Sequence, residues 1–227
     1  MKVRCSQLHR IMTNSRSKDA LSETAKAFVE EYYISENFGR HKELVNKYIT
    51  KGLQVEEDSI TLYSKTTKKF FVKNETTLEN DYITGTPDLF IKKENEIVEV
   101  IDIKSSWDIW TYFRGIRQLN PAYYWQVMGY MWLTGAKKAS VVYCLVDTPE
   151  ILINDEKRKL MWKIGAISDE DEIYKKAAAE LEKNMRFEDI PESFRITIWP
   201  VEYDEQEVAA IKERVEKCRS YYAEITR

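Results

Sequence analysis

Residues 100–106, Val-Ile-Asp-Ile-Lys-Ser-Ser, set an Asp and a Lys two positions apart inside an otherwise apolar stretch. Successive side chains on a strand alternate faces, so Asp102 and Lys104 share one side with Val98 and Val100, while Ile101 and Ile103 line the other. A stretch apolar on both faces reads as a buried strand, where a charge is costly unless it is paired or binds a metal. One reading is a buried salt bridge. Such a pair brings little net stability, and side chains at i and i+2 of a strand aim in parallel rather than toward each other. In the other reading a hard divalent cation partners Asp102 and leaves Lys104 free to act on a substrate.

Three further positions suit the same chemistry, and each has a plainer reading. Gly52, Val55, Glu56, Ser59, Ile60 and Tyr63 fall on one stripe at helical spacing, which puts Glu56 on the inward side; otherwise it is a solvated helix charge. Asp88, in Thr-Gly-Thr-Pro-Asp-Leu-Phe, opens a strand after the extended turn set by Pro87; alternatively it caps an ordinary turn. Gln126 and Tyr130 stand at i and i+4 of a helix, as an active-site edge or the polar rim of a packing helix. Carboxylates, a main-chain carbonyl and one Lys, in the order E…D…DxK, suit metal-assisted hydrolysis of a phosphodiester. Asp88, Asp102 and the Ile103 carbonyl would ligate Mg²⁺, with Glu56 serving that metal or a second one. Lys104 would position or help deprotonate water, or steady the charge building on phosphate.

These residues need a sheet to carry them. Strands are expected at Lys69–Lys73, Tyr82–Gly85, Asp88–Lys92 and Ile97–Ser105. Ser6 suits the N-cap of a short helix with Leu8, Ile11 and Met12 inward, and residues 14–22 read as a loop. Ser22 opens a helix with Phe28, Val29, Tyr32 and Tyr33 inward. A helical region from about His41 to Ser64 bends near Gly52. The clearest helix is residues 121–134, with Asn120 as N-cap, Pro121 in the first turn and Gly135 as C-cap. A buried strand at 138–147 follows, then helices over about 155–164 and 169–185, the strand 195–201, and an amphipathic helix from about Asp204 to Glu224. The order implies an α/β fold with a mixed central sheet flanked by helices, not a regular βαβ winding.

The 227 residues, 43% of them apolar, suffice for one compact core, and 7 Gly and 5 Pro leave no linker-like segment. A single domain over 1–227 is expected, with core motifs in 1–150 and residues 151–227 packed on that core or on a neighbouring subunit. Three scattered cysteines indicate neither a disulfide framework nor a cysteine-held metal or iron–sulfur site. With no membrane-length apolar run and no signal-peptide pattern, a soluble, intracellular protein is expected. A net charge of −3 argues against passive, whole-surface binding of nucleic acid. It leaves room for an enzyme whose acids hold metal and whose basic residues line one groove.

In combination, the motifs resemble the PD-(D/E)XK nuclease superfamily. More narrowly, the chain is similar to the phage recombination exonucleases related to lambda exonuclease, the YqaJ-like viral recombinase group. The matching pieces, VRCSQLHRIM, GLQVEED, GTPDLF, VIDIKSS and YYWQVMGYMWLTG, stand in family order over the first two-thirds of the chain. DxK alone is common; all five in order are specific.

The resemblance implies a restriction-endonuclease-like core with Glu56, Asp88, Asp102 and Lys104 as active-site acids and lysine, and Gln126 as the helix-borne glutamine. Ser6 matches a serine that contacts the terminal 5′-phosphate, with Arg4 beside it; a further family arginine lies ahead of Met1. Asp102 stands where Glu is commoner. The resemblance also implies a ring-shaped homotrimer on double-stranded DNA, a single-strand annealing partner, and a cytoplasmic location, in the bacterial host if phage-encoded. Mg²⁺ would be the cofactor, with Mn²⁺ able to replace it. Between Lys104 and Gln126 an aromatic loop carries Arg114 and Arg117, suited to stacking on unpaired bases and gripping phosphate, or else to packing. Tyr130 is read as another DNA contact. The leading expectation is a Mg²⁺-dependent double-strand exonuclease, acting 5′ to 3′ and preparing strands for recombination. The alternatives are an endonuclease or end-independent nuclease, and a non-catalytic DNA-binding protein on a nuclease fold.

Overall fold

A computed structural model describes residues 1–15, 17, 20–42 and 46–226. In chain order, β1 (Val3–Arg4) runs through a 3-10 turn (Cys5–Gln7) into α1 (Leu8–Ile11), followed by α2 (Glu23–Phe38), α3 (Lys47–Gln54) and α4 (Glu56–Thr67). Then come β2 (Leu78–Glu79), β3 (Ile83–Gly85), β4 (Leu89–Lys93), β5 (Glu96–Ser105), α5 (Ile109–Arg117), α6 (Pro121–Thr134) and β6 (Lys138–Cys144). The chain finishes with α7 (Glu150–Ile164), α8 (Glu172–Lys183), β7 (Ile196–Glu202) and α9 (Glu205–Ile225).

The fold is mixed α/β, with two sheets rather than one. In the larger, ordered β4-β5-β6-β7, β5 runs antiparallel to β4 and parallel to β6, and β7 runs antiparallel to β6. The smaller is ordered β1-β3-β2. As the alternation requires, the two faces of β5 serve different layers. Val100 packs with Val127, Met128, Tyr130 and Met131 of α6, whereas Ile101 and Ile103 join Ile60 and Tyr63 of α4. Asp102 and Lys104 therefore lie in the α6 layer, and the central strand carries them between two hydrophobic slabs.

Local signals explain most element ends. Asn120 accepts from Ala122 N at 2.9 Å, Pro121 occupies the first turn, and Gly135 closes α6 at φ +75°. Each such N-cap is worth about 1 kcal/mol. Ser22 caps α2 through Ala25 N, as expected. Tyr32 and Tyr33 of α2 are only half-buried, edge-on to Tyr222 of α9. Val208, Ile211, Val215 and Cys218 of α9 belong to the same apolar cluster as α1 and α6, so the last third of the chain completes this core.

Several expectations are corrected. Residues 69–73 form no strand: Phe71 stacks on Tyr63 with ring centres 4.9 Å apart, while Phe70 and Val72 are exposed. The next residue, Asn74, is held by the turn at Pro87–Asp88, its N donating to the Asp88 carbonyl at 2.7 Å. The expected helix from His41 divides into α3 and α4 at Val55, not Gly52, and α3 begins where Asn46 accepts from Tyr48 N and Ile49 N. Positions 43–45 of that helix, and 16, 18 and 19 of the expected loop, lie outside the described residues. Ser6 caps nothing and sits within the 3-10 turn. The aromatic loop contains α5, capped by Asp108, which accepts from Thr111 N at 2.6 Å. Tyr112 and Gly115 face inward from α5, and Trp199 donates to the Gly115 carbonyl at 2.8 Å. Lys51 is wholly buried and donates to the Trp107 carbonyl at 3.0 Å, which pins the turn leading into that helix.

The N-terminal turn reaches α6 through Gly129. A Cβ there would stand 2.7 Å from Leu8 Cδ1 and 2.9 Å from Cys5 Sγ, both in fully buried side chains. Gly to Ala in an exposed helix stabilises by about 1 kcal/mol, but overpacking a closed core costs about 1–3 kcal/mol. Gly129→Ala is therefore expected to lower the melting temperature by several degrees in a thermal melt. A melt at or above the wild-type value would show that the N-terminal turn is loosely seated.

Candidate active site

Asp102 is fully buried: its Oδ2 is paired with Lys104 Nζ at 2.8 Å, and its Oδ1 has no partner among the described residues. The parallel aim expected of i and i+2 residues is thus overcome, because the long lysine stem curls back over one residue pair. Burial drives the Asp102 carboxyl well above the usual range, against the pull of Lys104. Burial alone would depress the Lys104 ammonium; the charges of Asp102 and Asp88 outweigh it and hold the lysine protonated.

Asp88 stands where β4 has not yet begun. The ladder pairs Leu89 with Ile101, and beyond it Asp88 Oδ2 accepts from Ile103 N at 2.6 Å, so a side chain continues the edge of β5. Within a strand, the N–H and C=O of one residue leave on the same edge. The Ile103 carbonyl therefore points to the edge occupied by Asp88. Burial, then the charge of Asp102, pushes Asp88 up to about 7. Glu56 begins α4 and adds to the field that raises both aspartates. Its Oε2 is held by Lys73 Nζ at 2.7 Å.

A chain of contacts leads away from Lys104. Nζ donates to Gln126 Oε1 at 3.2 Å, and Gln126 Nε2 donates to the Tyr130 hydroxyl at 2.8 Å. Tyr130, read as a DNA contact, is only 4% exposed and is wedged against Gly85, where a Cβ would come within 2.6 Å of its ring. It acts as a positioner of Gln126. Lys104 Nζ also sits 4.6 Å above the centre of the Tyr123 ring. Tyr123, one turn before Gln126 on the same helical face, was detectable by the spacing that picked out Gln126 and Tyr130. Lys73 carried no such signal, because a loop joins it to the site.

The structure brings Glu56, Asp88, Asp102, Ile103, Lys104, Gln126 and Tyr130 to one place. Ser6 and Arg4 are exposed on the neighbouring turn; Arg4 pairs in register with Thr84, three residues before Pro87. Arg114 and Arg117 lie at the end of α5 and line an open groove of about 660 Å³ that shares Tyr123 with the lysine. Among the described residues, no three His, Cys, Asp or Glu side chains converge as a metal-ligand cluster. The donor set is two carboxylates and a carbonyl. That suits Mg²⁺, which keeps several waters and takes one or two carboxylates. Asp102 Oδ1, which has no partner among the described residues, is where such a cation would fit.

No family model matches this sequence, and no curated protein does. Among solved structures, a phage-related exonuclease from Haemophilus somnus 129PT is 30% identical, aligns over 100% of this chain and 95% of its own, and superposes with a TM-score of 0.77. The chain belongs to the phage-related exonucleases. An alkaline exonuclease from Laribacter hongkongensis shares the fold at 16% identity, with 99% and 90% coverage and a TM-score of 0.66. The same enzyme, solved in complex with dAMP, superposes with a TM-score of 0.65 at 17% identity and the same coverage. In this exonuclease chain no helix among the described residues is long and apolar enough to cross a membrane.

The raised Asp88 carboxyl has a measurable consequence. An unfolded Asp titrates near about 4, whereas the folded one titrates at about 7. Between those values the folded protein keeps a proton that the unfolded chain has lost, so stability falls as pH rises across the window. Asp88→Asn keeps an acceptor for Ile103 N–H and removes the charge. In metal-free buffer it is expected to melt a few degrees above wild type at about pH 8, the gap closing toward about pH 4. A gap independent of pH would contradict the electrostatic account of this site.

Proposed function

We propose that the protein is a Mg²⁺-dependent double-strand DNA exonuclease. The observation that carries this reading is Asp102, fully buried beside Asp88 and paired only through Oδ2 with Lys104, in a chain of phage-related exonuclease ancestry. Asp88, Asp102 and the Ile103 carbonyl would hold the cation, with Glu56 beside them. When bound, the cation polarises the phosphoryl oxygen and lowers the pKa of water.

The chain's own groups do the rest. Lys104, kept protonated by the two aspartates, offers its ammonium to the phosphate oxygen on which charge builds. Gln126 and Tyr123 hold that ammonium in place, and Tyr130 holds Gln126, so the lysine approaches the phosphate already oriented. Arg114 and Arg117, at the end of the groove that includes Tyr123, take backbone phosphates of the DNA. Ser6 and Arg4 are suited to a terminal 5′-phosphate, which would set a 5′-to-3′ direction. The dAMP bound by the Laribacter enzyme accords with a deoxynucleotide product. We assign the released single strand to recombination by annealing, and a homotrimer to the working assembly, on family grounds. An end-independent nuclease is the alternative within the same chemistry.

Lys104→Ala is expected to lower cleavage of a linear duplex by 10³-fold or more on the order of an oxyanion-hole loss. The variant should still fold and bind DNA, melting lower because Asp102 loses its ion pair. The check is an end-labelled duplex, with and without 5′-phosphate, in Mg²⁺ and in chelator, beside a covalently closed circle. Wild-type turnover by Lys104→Ala would reject the assigned site. Rapid nicking of the closed circle would reject the exonuclease in favour of the end-independent enzyme.

A further inference from the structure

Lys73 is not part of the E…D…DxK constellation, yet it is built into the site. Its Nζ donates to Glu56 Oε2 at 2.7 Å. The next residue bolts the segment to the proline–aspartate turn: Asn74 N donates to the Asp88 carbonyl at 2.7 Å, and Asn74 Nδ2 to the Pro87 carbonyl at 2.8 Å. The backbone that carries Lys73 is thus fixed to the backbone that carries Asp88. The hydrogen bond with Glu56, and at longer range the charges of Glu57 and Asp88, keep the Lys73 ammonium protonated. Its side chain is 35% exposed against 18% for Glu56, so the cation is on the solvent side of the pair.

The charge balance of the site gives this placement a use. Glu56, Asp88 and Asp102 repel an approaching phosphate, and Lys104 is buried and already engaged with Asp102 and Gln126. A cation at the rim is needed. Exposed Lys68, Lys69 and Phe70 continue from Lys73 along the chain, and Lys65, Phe70 and Lys73 line an open groove of about 800 Å³ beside α4. Clustered lysines with an exposed aromatic ring suit the backbone and bases of a nucleic acid.

We propose that Lys73 is a second phosphate-binding lysine of the active site, exchanging its bond to Glu56 for a backbone phosphate of the DNA. The exchange frees the Glu56 carboxylate at the moment substrate arrives. This rests on the nuclease reading above. A residue that only held Glu56 in place would not alter how binding responds to salt.

Binding of a blunt duplex in chelator, followed across a salt titration, makes the distinction without cleavage. Each phosphate contact contributes about 0.9 to the slope of log K against log salt. Lys73→Gln is expected to lower the slope by about that amount and to weaken binding several-fold at about 0.1 M salt. Glu56→Gln, which removes the charge that holds Lys73, is expected to bind several-fold tighter, with the gain lost when both changes are combined. A wild-type slope in Lys73→Gln, or a Glu56→Gln gain that survives in the double variant, overturns the proposal. Should Lys73→Gln fail to fold, Glu56→Gln with Lys73→Arg decides: the gain must persist when the charge is kept, and its absence overturns the proposal. If the wild type neither binds nor degrades DNA, the nuclease reading itself fails. Degradation with an unchanged Lys73→Gln slope removes Lys73 alone.

Discussion

A carboxylate placed in a protein interior with a single ion pair is a standing cost of folding, and Asp102 is such a group. The desolvation of a buried ion amounts to several kcal/mol even after relaxation. Lys104 offsets part of this through Oδ2 and leaves Oδ1 without a partner among the described residues. Everything nearby is arranged to keep that carboxylate in place rather than to relieve it. β5 is flanked by β4 and β6, its two faces are sealed by α6 and α4, and Asp88 extends the ladder where β4 stops.

The same arrangement explains why the neighbouring groups are set rather than free. Lys104 is guided by Gln126 and Tyr123, Gln126 by Tyr130, and Tyr130 by the close approach of Gly85. Each step transmits rigidity from the hydrophobic slab of α6 to one ammonium. Burial raises both aspartates, and their charges hold the lysine protonated.

Much of this was legible in the residues. The caps of α6 are spelled out by Asn120, Pro121 and Gly135, and the alternation of residues 98–104 assigns the faces of β5 without coordinates. Strand alternation puts Asp102 and Lys104 on one face, but naming Glu56, Asp88 and Gln126 beside them rests on the family order of the motifs, since periodicity alone leaves each a plainer reading. The misreadings have non-local causes. Phe70, Phe71 and Val72 make a short aromatic and β-branched run like that of a strand, but only Phe71 finds a partner, on Tyr63 of a preceding helix. Residues 107–120 look like an aromatic loop because the inward face of α5 is small, Tyr112 and Gly115, while Trp110 and Phe113 face outward. The curl of Lys104 onto Asp102 depends on rotamers, and the union of Lys73 with Glu56 on a loop path, neither of which any spacing encodes. The division into two sheets was likewise hidden, since β1 pairs with β3 across some eighty residues.

The proposed role of Asp102 is to ligate a divalent cation. Calorimetric titration of Mn²⁺ or Mg²⁺ into the chelator-treated protein near neutral pH tests that role. Saturable binding accompanied by proton release is expected, because Asp88 must lose its proton to ligate. Asp102→Asn, correctly folded, is expected to lose the binding heat. An equal heat in Asp102→Asn, or no metal binding by the wild type at millimolar concentrations, would contradict that role.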